Sequence, residues 1–217
     1  MIDESWLARP MEGWVLVLPD GCLDVIEHHG KLSVIGPMTS PQWVEIGVDP
    51  PRGIRWRPGC VYPWLDTSLD KLRDEVIDAD QFAELGQIST LEEVIDLSEH
   101  SQGRADIRWV AEALRERPNQ KIADLAKTVG ISSRQLRRLF SRHIGLSPKE
   151  FARIQRVQSL VEKFESDTET PLGELAFQCG YADQSHMNRD VVEFCQLTPS
   201  DLRLVLSDSF KTESSSP

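Results

Sequence analysis

The sequence predicts an α+β protein in which a small β-rich domain precedes an all-α domain of seven helices. Three observations support this prediction. Short segments rich in Val, Ile and Trp, separated by Pro, Gly and Asp, fill the front of the 217-residue chain. From residue 104 onward, segments of helical character follow one another, separated by helix-ending and helix-capping residues. One part of this helical region occurs twice, which is typical of a duplicated structural unit.

The front of the chain contains five predicted strands before its helical character begins. Their sequences are WVLVL, CLDVIE, KLSVIG, WVEIGV and GIRWRPG, at 14–18, 22–27, 31–36, 43–48 and 53–59. The segment EHHGK, between the second and third strands, predicts a hairpin turn. Residues 69–77 and 80–98 are predicted to form short helices, and the polar segment SEHSQG is predicted to be a linker.

Seven helices are predicted after the linker. They span 104–117, 121–129, 132–143, 148–164, 172–179, 183–195 and 199–207. Each break carries a Gly that can end a helix, a Ser, Asp or Thr that can cap the next one, or a Pro suited to a first turn. The predicted organisation is therefore a β-rich domain with short helices at 1–103, a helical domain at 104–207 and a disordered polar tail at 208–217.

The helical domain repeats itself at an offset of fifty residues. IADLAKTVG at 122–130 aligns with LGELAFQCG at 172–180, so that Gly130 matches Gly180. With one inserted residue, Arg138 matches Arg189. The repeat predicts two helix-turn-helix units joined by the long helix 148–164.

The net charge of −11 hides an uneven distribution. Residues 1–100 hold 7 Lys and Arg against 19 Asp and Glu, whereas residues 118–158 hold 9 against 2. An acidic protein repels nucleic acid as a whole, but a clustered basic patch can still bind it because salt screens distant charges. We therefore expect an acidic front that screens or covers a basic face in the helical domain.

The first unit concentrates its arginines on its second helix, SSRQLRRLFSRH at 132–143. At about 100° per residue, Leu136, Leu139 and Phe140 fall on one side of this helix. The opposite side carries Arg134, Arg137, Arg138 and Arg142. The second helix of such a unit enters the DNA major groove, where arginine binds guanine bidentately or holds phosphates. A merely solvated basic face is the alternative interpretation.

The second unit presents different side chains on its helix at 183–195. Met187, Val191 and Phe194 form the expected buried stripe. Gln184, Ser185, Asn188 and Arg189 are expected to face outward. Asn and Gln suit adenine, but the helix also carries three acidic residues. We therefore expect the first unit to supply most of the attraction for DNA.

The helical domain resembles the AraC/XylS family of bacterial transcription regulators. The resemblance rests on IADLAKTVGISSRQLRRLFSRHIGLSPKEF and LGELAFQCGYADQSHMNRDVVEFCQLTPSDLR. It implies that helices 132–143 and 183–195 bind successive major grooves, so that one chain covers roughly 17–20 base pairs. Two positions depart from the family pattern, because Val191-Val192 replaces an aromatic and a basic residue, and Cys195-Gln196 replaces a glycine.

The front domain is expected to act as a sensor or dimerisation domain, since LPDGCLDVI, IGP and WRPG resemble the N-terminal domain of some family members. It holds five of the six tryptophans, which line a pocket, form an interface or fill a core. Expected partners are double-stranded DNA, a small-molecule effector, RNA polymerase and a second copy of the chain. No cofactor, metal, signal peptide or membrane contact is expected, and the predicted location is cytoplasmic.

Two other functions remain open at the sequence level. The acidic front can dock a partner, with DNA contact secondary. Alternatively, the chain is a thiol-based sensor or alkyl acceptor fused to a DNA-binding domain, with Cys22 or Cys60 as the nucleophile. No serine-histidine-aspartate set, catalytic carboxylate pair or phosphate loop stands out, so we expect no enzymatic activity.

Overall fold

A computed structural model describes residues 2–7, 13–60, 65, 67–83, 85–98, 103–167 and 169–211. Seven strands lie in the front of the chain: β1 (Ile2–Leu7), β2 (Gly13–Val17), β3 (Leu23–His28), β4 (Lys31–Ile35), β5 (Gln42–Ile46), β6 (Arg52–Trp56) and β7 (Val76–Asp78). Eight helices follow: α1 (Leu91–Ser98), α2 (Ala105–Glu116), α3 (Ile122–Thr128), α4 (Ser133–Ile144), α5 (Pro148–Ser166), α6 (Leu172–Gln178), α7 (Gln184–Cys195) and α8 (Pro199–Lys211). The α+β class and the seven helices after residue 104 are confirmed.

The strands form two antiparallel sheets. The larger has the order β1-β6-β3-β4-β7, and the smaller pairs β2 with β5. The hairpin between β3 and β4 turns at His29 and Gly30, whose φ angles of 51° and 70° are those of a two-residue type I′ turn. The turn predicted from EHHGK is therefore confirmed.

The helical prediction for 69–77 and 80–98 is wrong over much of its length. Residues 76–78 form β7, which pairs with β4. Single 3₁₀ turns cover Leu69–Lys71, Ala79–Gln81 and Leu85–Gln87, and only α1 is a true helix. The apolar residues of this segment pack onto a sheet face instead of onto one another, so tertiary packing overrides the local helical pattern.

Two hydrophobic cores underlie the two halves of the chain. One joins the larger sheet to the 3₁₀ turns and α1, with Trp56, Val25 and Ile54 nearly inaccessible to solvent. The other lies among α2 to α8, and α5 crosses its centre. Helix α8 continues to Lys211, four residues beyond its predicted end, and residues 212–217 lie outside the described part of the chain.

The two halves meet along α5 and the end of α4. Gln155 and Gln158 of α5 donate side-chain hydrogen bonds to the backbone oxygens of Asp20 and Pro19, at 2.8 and 2.6 Å. Glu150, in the first turn of α5, closes a capping box with Ser147 and accepts a hydrogen bond from Arg73 at 2.8 Å. Polar side chains of α5 therefore hold the front of the chain in place.

We predict that Glu150→Gln weakens this junction in a pH-dependent manner. Partial burial raises the pKa of Glu150, but hydrogen bonds from Ser147 and Arg73 outweigh it and the net pKa is lowered. A lowered carboxylate pKa stabilises the fold above the unfolded-state pKa, and this stabilisation is lost as pH falls through the folded-state pKa. The variant should cost about 1–2 kcal/mol at pH 7, and the cost should shrink below about pH 4.5.

Urea unfolding of the wild type and the variant at pH 7 and pH 3.5 measures this difference. Glu174→Gln, which removes an exposed carboxylate from α6, serves as the control. An equal cost of Glu150→Gln at both pH values would contradict the prediction.

Candidate nucleic-acid interface

The first helix-turn-helix unit consists of α3, a tight turn at Gly130 and α4. Gly130 has a φ of 73°, in the left-handed region that glycine adopts without strain. Ser132 caps α4, since its hydroxyl accepts from the Gln135 backbone N–H at 3.2 Å and the Gln135 side chain accepts from the Ser132 N–H at 3.0 Å. This reciprocal capping box fixes where α4 begins and therefore which side chains it presents.

The apolar stripe of α4 anchors the helix in the core. Leu136, Phe140 and Ile144 are fully buried, and the Phe140 ring meets the Phe151 ring of α5 edge-on at 5.5 Å between centroids. The opposite face is exposed along its length and carries Arg134, Arg137, Arg138 and Arg142. None of these arginines forms an ion pair with any residue that the structure describes. Their positive charge is therefore available to a ligand.

The second unit reproduces the backbone hydrogen bonds of the first. The amide of Tyr181 donates to the oxygen of Ala176 at 2.8 Å, as Ile131 donates to Ala126 at 3.0 Å. Gly180 takes a φ of 80°, close to that of its counterpart Gly130. The repeat read from the sequence is thus a structural duplication.

Helix α7 also has the predicted faces. Asp183 caps it by accepting from the His186 backbone N–H at 2.7 Å. Met187, Val191 and Phe194 are buried, whereas the four predicted contact residues are exposed: Gln184, Ser185, Asn188 and Arg189. The Arg189 Nε donates to the Ser185 backbone oxygen at 3.3 Å, so this arginine leans along its own helix.

The acidic residues of α7 are bound within the domain, which the charge count did not reveal. Asp190 is buried and accepts from Arg153 and Arg156 of α5, while Glu193 accepts from Arg153. Asp190 lies three residues after Met187 and four before Phe194, so helical spacing already placed it on the buried stripe. The expectation that the first unit supplies most of the attraction counted Asp190 and Glu193, which are paired with arginines of α5, together with Asp183, which is exposed at the start of the helix.

The same pairs reduce the basic patch around the first unit. Arg153 and Arg156 belong to the nine basic residues of 118–158, yet their guanidinium groups point into the α5–α7 contact. The α4 arginines remain exposed, as do Lys121, Lys127 and Lys149. The described residues of the front contact α4 at Ile144 and Gly145, beyond the arginine face, and leave that face exposed.

The end of α7 explains one departure from the family pattern. Gln196 adopts a left-handed φ of 54°, the conformation that Gly145 provides at 83° after α4. The helix therefore ends in the same way in both units, and in the second unit a residue with a side chain bears the strain.

We predict that substitutions at Gln196 and Gly145 have opposite effects on the stability of the protein. Gln196→Gly should stabilise the protein by about 1 kcal/mol, because glycine relieves the left-handed strain at an exposed position. Gly145→Ala should destabilise it by more than that, because the added Cβ would lie 2.5 Å from Pro37 and 2.8 Å from the Leu69 oxygen. Thermal unfolding of both variants measures the signs, and a destabilising Gln196→Gly would refute the account of α7.

Comparisons with known proteins agree with this geometry. Residues 125–204 match the model of the helix-turn-helix domain family. A protein named probable bifunctional transcriptional activator/DNA repair enzyme AlkA, from Mycobacterium tuberculosis (strain CDC 1551 / Oshkosh), is 33% identical over 95 residues. That match covers 44% of this chain but only 19% of the relative's length.

Two solved structures are among those similar to this chain. A probable AraC family transcriptional regulator from Rhodopseudomonas palustris is 28% identical, with a TM-score of 0.42 over 46% of this chain and 96% of its own. ToxT from Vibrio cholerae is 9% identical, with a TM-score of 0.49 over 94% of this chain and 95% of its own. The match to the family model agrees with the two capped units, and residues 125–204 therefore form a helix-turn-helix domain.

Proposed function

We propose that the protein is a sequence-specific DNA-binding transcription regulator whose helices α4 and α7 enter successive major grooves. The observation that carries the proposal is the pair of helix-turn-helix units with equivalent backbone hydrogen bonds, each exposing the polar face of its second helix. Such units place their second helix in the groove, where side chains near its beginning reach base edges.

The proposed roles differ between the two helices. Arg134, Arg137 and Arg138 lie in the first half of α4 and are suited to guanine edges, and Arg142 lies nearer its end and is suited to a phosphate. On α7, Gln184 and Asn188 are suited to adenine, with Ser185 and Arg189 beside them. The first unit contributes the stronger electrostatic attraction because its four arginines are free of carboxylates among the described residues.

The front supports further partner proposals. Trp14 and Trp43 on the small sheet are 64% and 50% exposed, although large apolar side chains in a monomer are usually more buried. These side chains favour an interface role for this sheet, consistent with a second copy of the chain or RNA polymerase as partner. Trp56 instead fills the core, and the Trp64 side chain lies outside the described residues. A small-molecule effector and a cytoplasmic location remain part of the proposal.

The thiol-based alternative has less support. Burial and the neighbouring Asp20 raise the pKa of the Cys22 thiol well above its ordinary value. The reactive form of a thiol is the thiolate, so a raised pKa makes Cys22 a poor nucleophile at neutral pH. Cys60 is buried, whereas Cys22 is partly exposed. Within the described residues, no group of three His, Cys, Asp or Glu side chains is placed to hold a metal ion, and no helix could cross a membrane.

We predict that Arg138→Ala weakens binding to the target DNA by about 10- to 100-fold if Arg138 binds a base, with relaxed sequence preference at that position. If it binds a phosphate, affinity falls on all sequences and the salt slope decreases by about 0.9. Fluorescence anisotropy on DNA fragments from upstream of the protein's own gene, over a salt series, separates the two roles.

The matched control for this experiment is Lys31→Ala, which removes one exposed positive charge from the front hairpin. It should leave the DNA affinity unchanged because Lys31 lies on β4, outside both helix-turn-helix units. Weak binding to every fragment by the wild type, with Arg138→Ala indistinguishable from Lys31→Ala, would overturn the proposed function.

We also predict that Cys22 reacts slowly with a thiol reagent in the native protein. Its thiol is partly buried and has a raised pKa, so it should react much more slowly than an exposed cysteine at pH 7.5. Mass spectrometry of iodoacetamide-treated protein, with the urea-unfolded chain as the control, gives the two rates. Rapid stoichiometric modification of native Cys22 would revive the thiol-based alternative.

A further inference from the structure

A buried carboxylate on α7 joins this helix to α5. Asp190 of α7 has a side chain only 3% exposed. Its Oδ1 accepts from Arg153 Nε at 2.9 Å and Nη2 at 2.8 Å, and its Oδ2 accepts from Arg156 Nη2 at 3.2 Å. A buried charge is tolerated only when it is fully paired, so this contact strongly favours one relative placement of α5 and α7.

Arg156 extends the connection to the first half of the domain. Its Nη1 donates to Asn119 Oδ1 at 3.0 Å, and Asn119 Nδ2 donates to the Gly180 backbone oxygen at 2.7 Å. The guanidinium also lies over the Tyr181 ring, 5.1 Å from its centroid. Asn119 lies in the connection between α2 and α3, just before the first unit. Arg156 on α5 therefore links this connection to the turn of the second unit.

We propose that Asn119, Arg153, Arg156 and Asp190 form a clamp that fixes the separation and rotational phase of α4 and α7. The inference rests on the proposed function, and it assigns the protein a single permitted spacing between its two half-sites. A DNA turn contains about 10 base pairs, so each added pair rotates the second half-site by roughly 35°. If α4 and α7 are held rigidly, α7 cannot adjust to a rotated half-site. Asp190 is therefore a positioning residue that contributes to DNA specificity.

The structure provides a matched comparison on the same helix. Glu193 also pairs with Arg153, at 2.9 Å and 2.5 Å, but its side chain is 55% exposed. Exposed ion pairs contribute little, whereas removing one partner of a buried pair leaves uncompensated charge in the interior. Asp190→Asn and Glu193→Gln each remove one negative charge from α7. We expect only Asp190→Asn to loosen the contact between α5 and α7.

The direct test measures the distance between the two units in the full chain. Spin labels at Thr128→Cys and Gln178→Cys occupy exposed, equivalent positions at the ends of α3 and α6. Pulsed electron paramagnetic resonance should give one narrow distance distribution for the parent and for Glu193→Gln. Asp190→Asn should broaden it or add a second distance, and an unchanged width in Asp190→Asn would overturn the clamp.

The functional test uses a duplex bound by the wild type and derivatives with 1 to 5 base pairs inserted between the half-sites. Insertion of about half a turn should remove the contribution of the second half-site for the wild type and for Glu193→Gln. Asp190→Asn should bind the parent duplex about 10-fold more weakly and lose much less on insertion. An insertion profile identical to that of the wild type would contradict the inference.

A third variant keeps the test decisive if Asp190→Asn fails to fold, as judged by circular dichroism. Asn119→Ala breaks the link to Gly180 at an exposed position without burying an unpaired charge. It should also broaden the label distances, and a width unchanged from that of the parent would reject the clamp. If the wild type binds no DNA, the proposed function fails, while the label distances still decide whether the clamp exists.

Discussion

The pairing of the polar side chains on α5 is the constraint on which the arrangement of this protein depends. The helix crosses the helical core and buries its apolar residues there, and a polar group in such a position must find a partner. Its polar residues divide between two sides. Gln155 and Gln158 bond the front of the chain, and Arg153 and Arg156 bond α7. One helix therefore sets the position of both the front and the second unit.

The local features of the helical domain could be predicted from the sequence because they depend on neighbouring residues. Gly130, Ser132 and the apolar spacing of α4 determine the turn, the cap and the buried face, and all three lie within 15 residues. The same holds for the β3–β4 hairpin, where an adjacent His-Gly pair accepts positive φ. In each case a chemical requirement acts over a few residues and leaves a recognisable pattern.

Features that depend on distant partners were not predictable in the same way. Residues 76–78 form a strand only because β4 offers an unpaired edge. The charge count of α7 could not show that Asp190 and Glu193 meet arginines 34 to 40 positions away. Spacing along the helix could have shown that Asp190 is buried, but its partners become visible only once α5 and α7 are packed together.

The distribution of arginines suggests a division of labour between the two units. Those of α4 remain exposed and can attract phosphates, whereas Arg153 and Arg156 are engaged in holding α7. In the part of the chain that the structure describes, the acidic front contacts the far end of α4 at Gly145, and the arginine face of α4 is exposed. In the proposed function, attraction is supplied mainly by the first unit, and the orientation of the second unit, which we propose is set by the buried ion pairs, decides which DNA sequences satisfy both units.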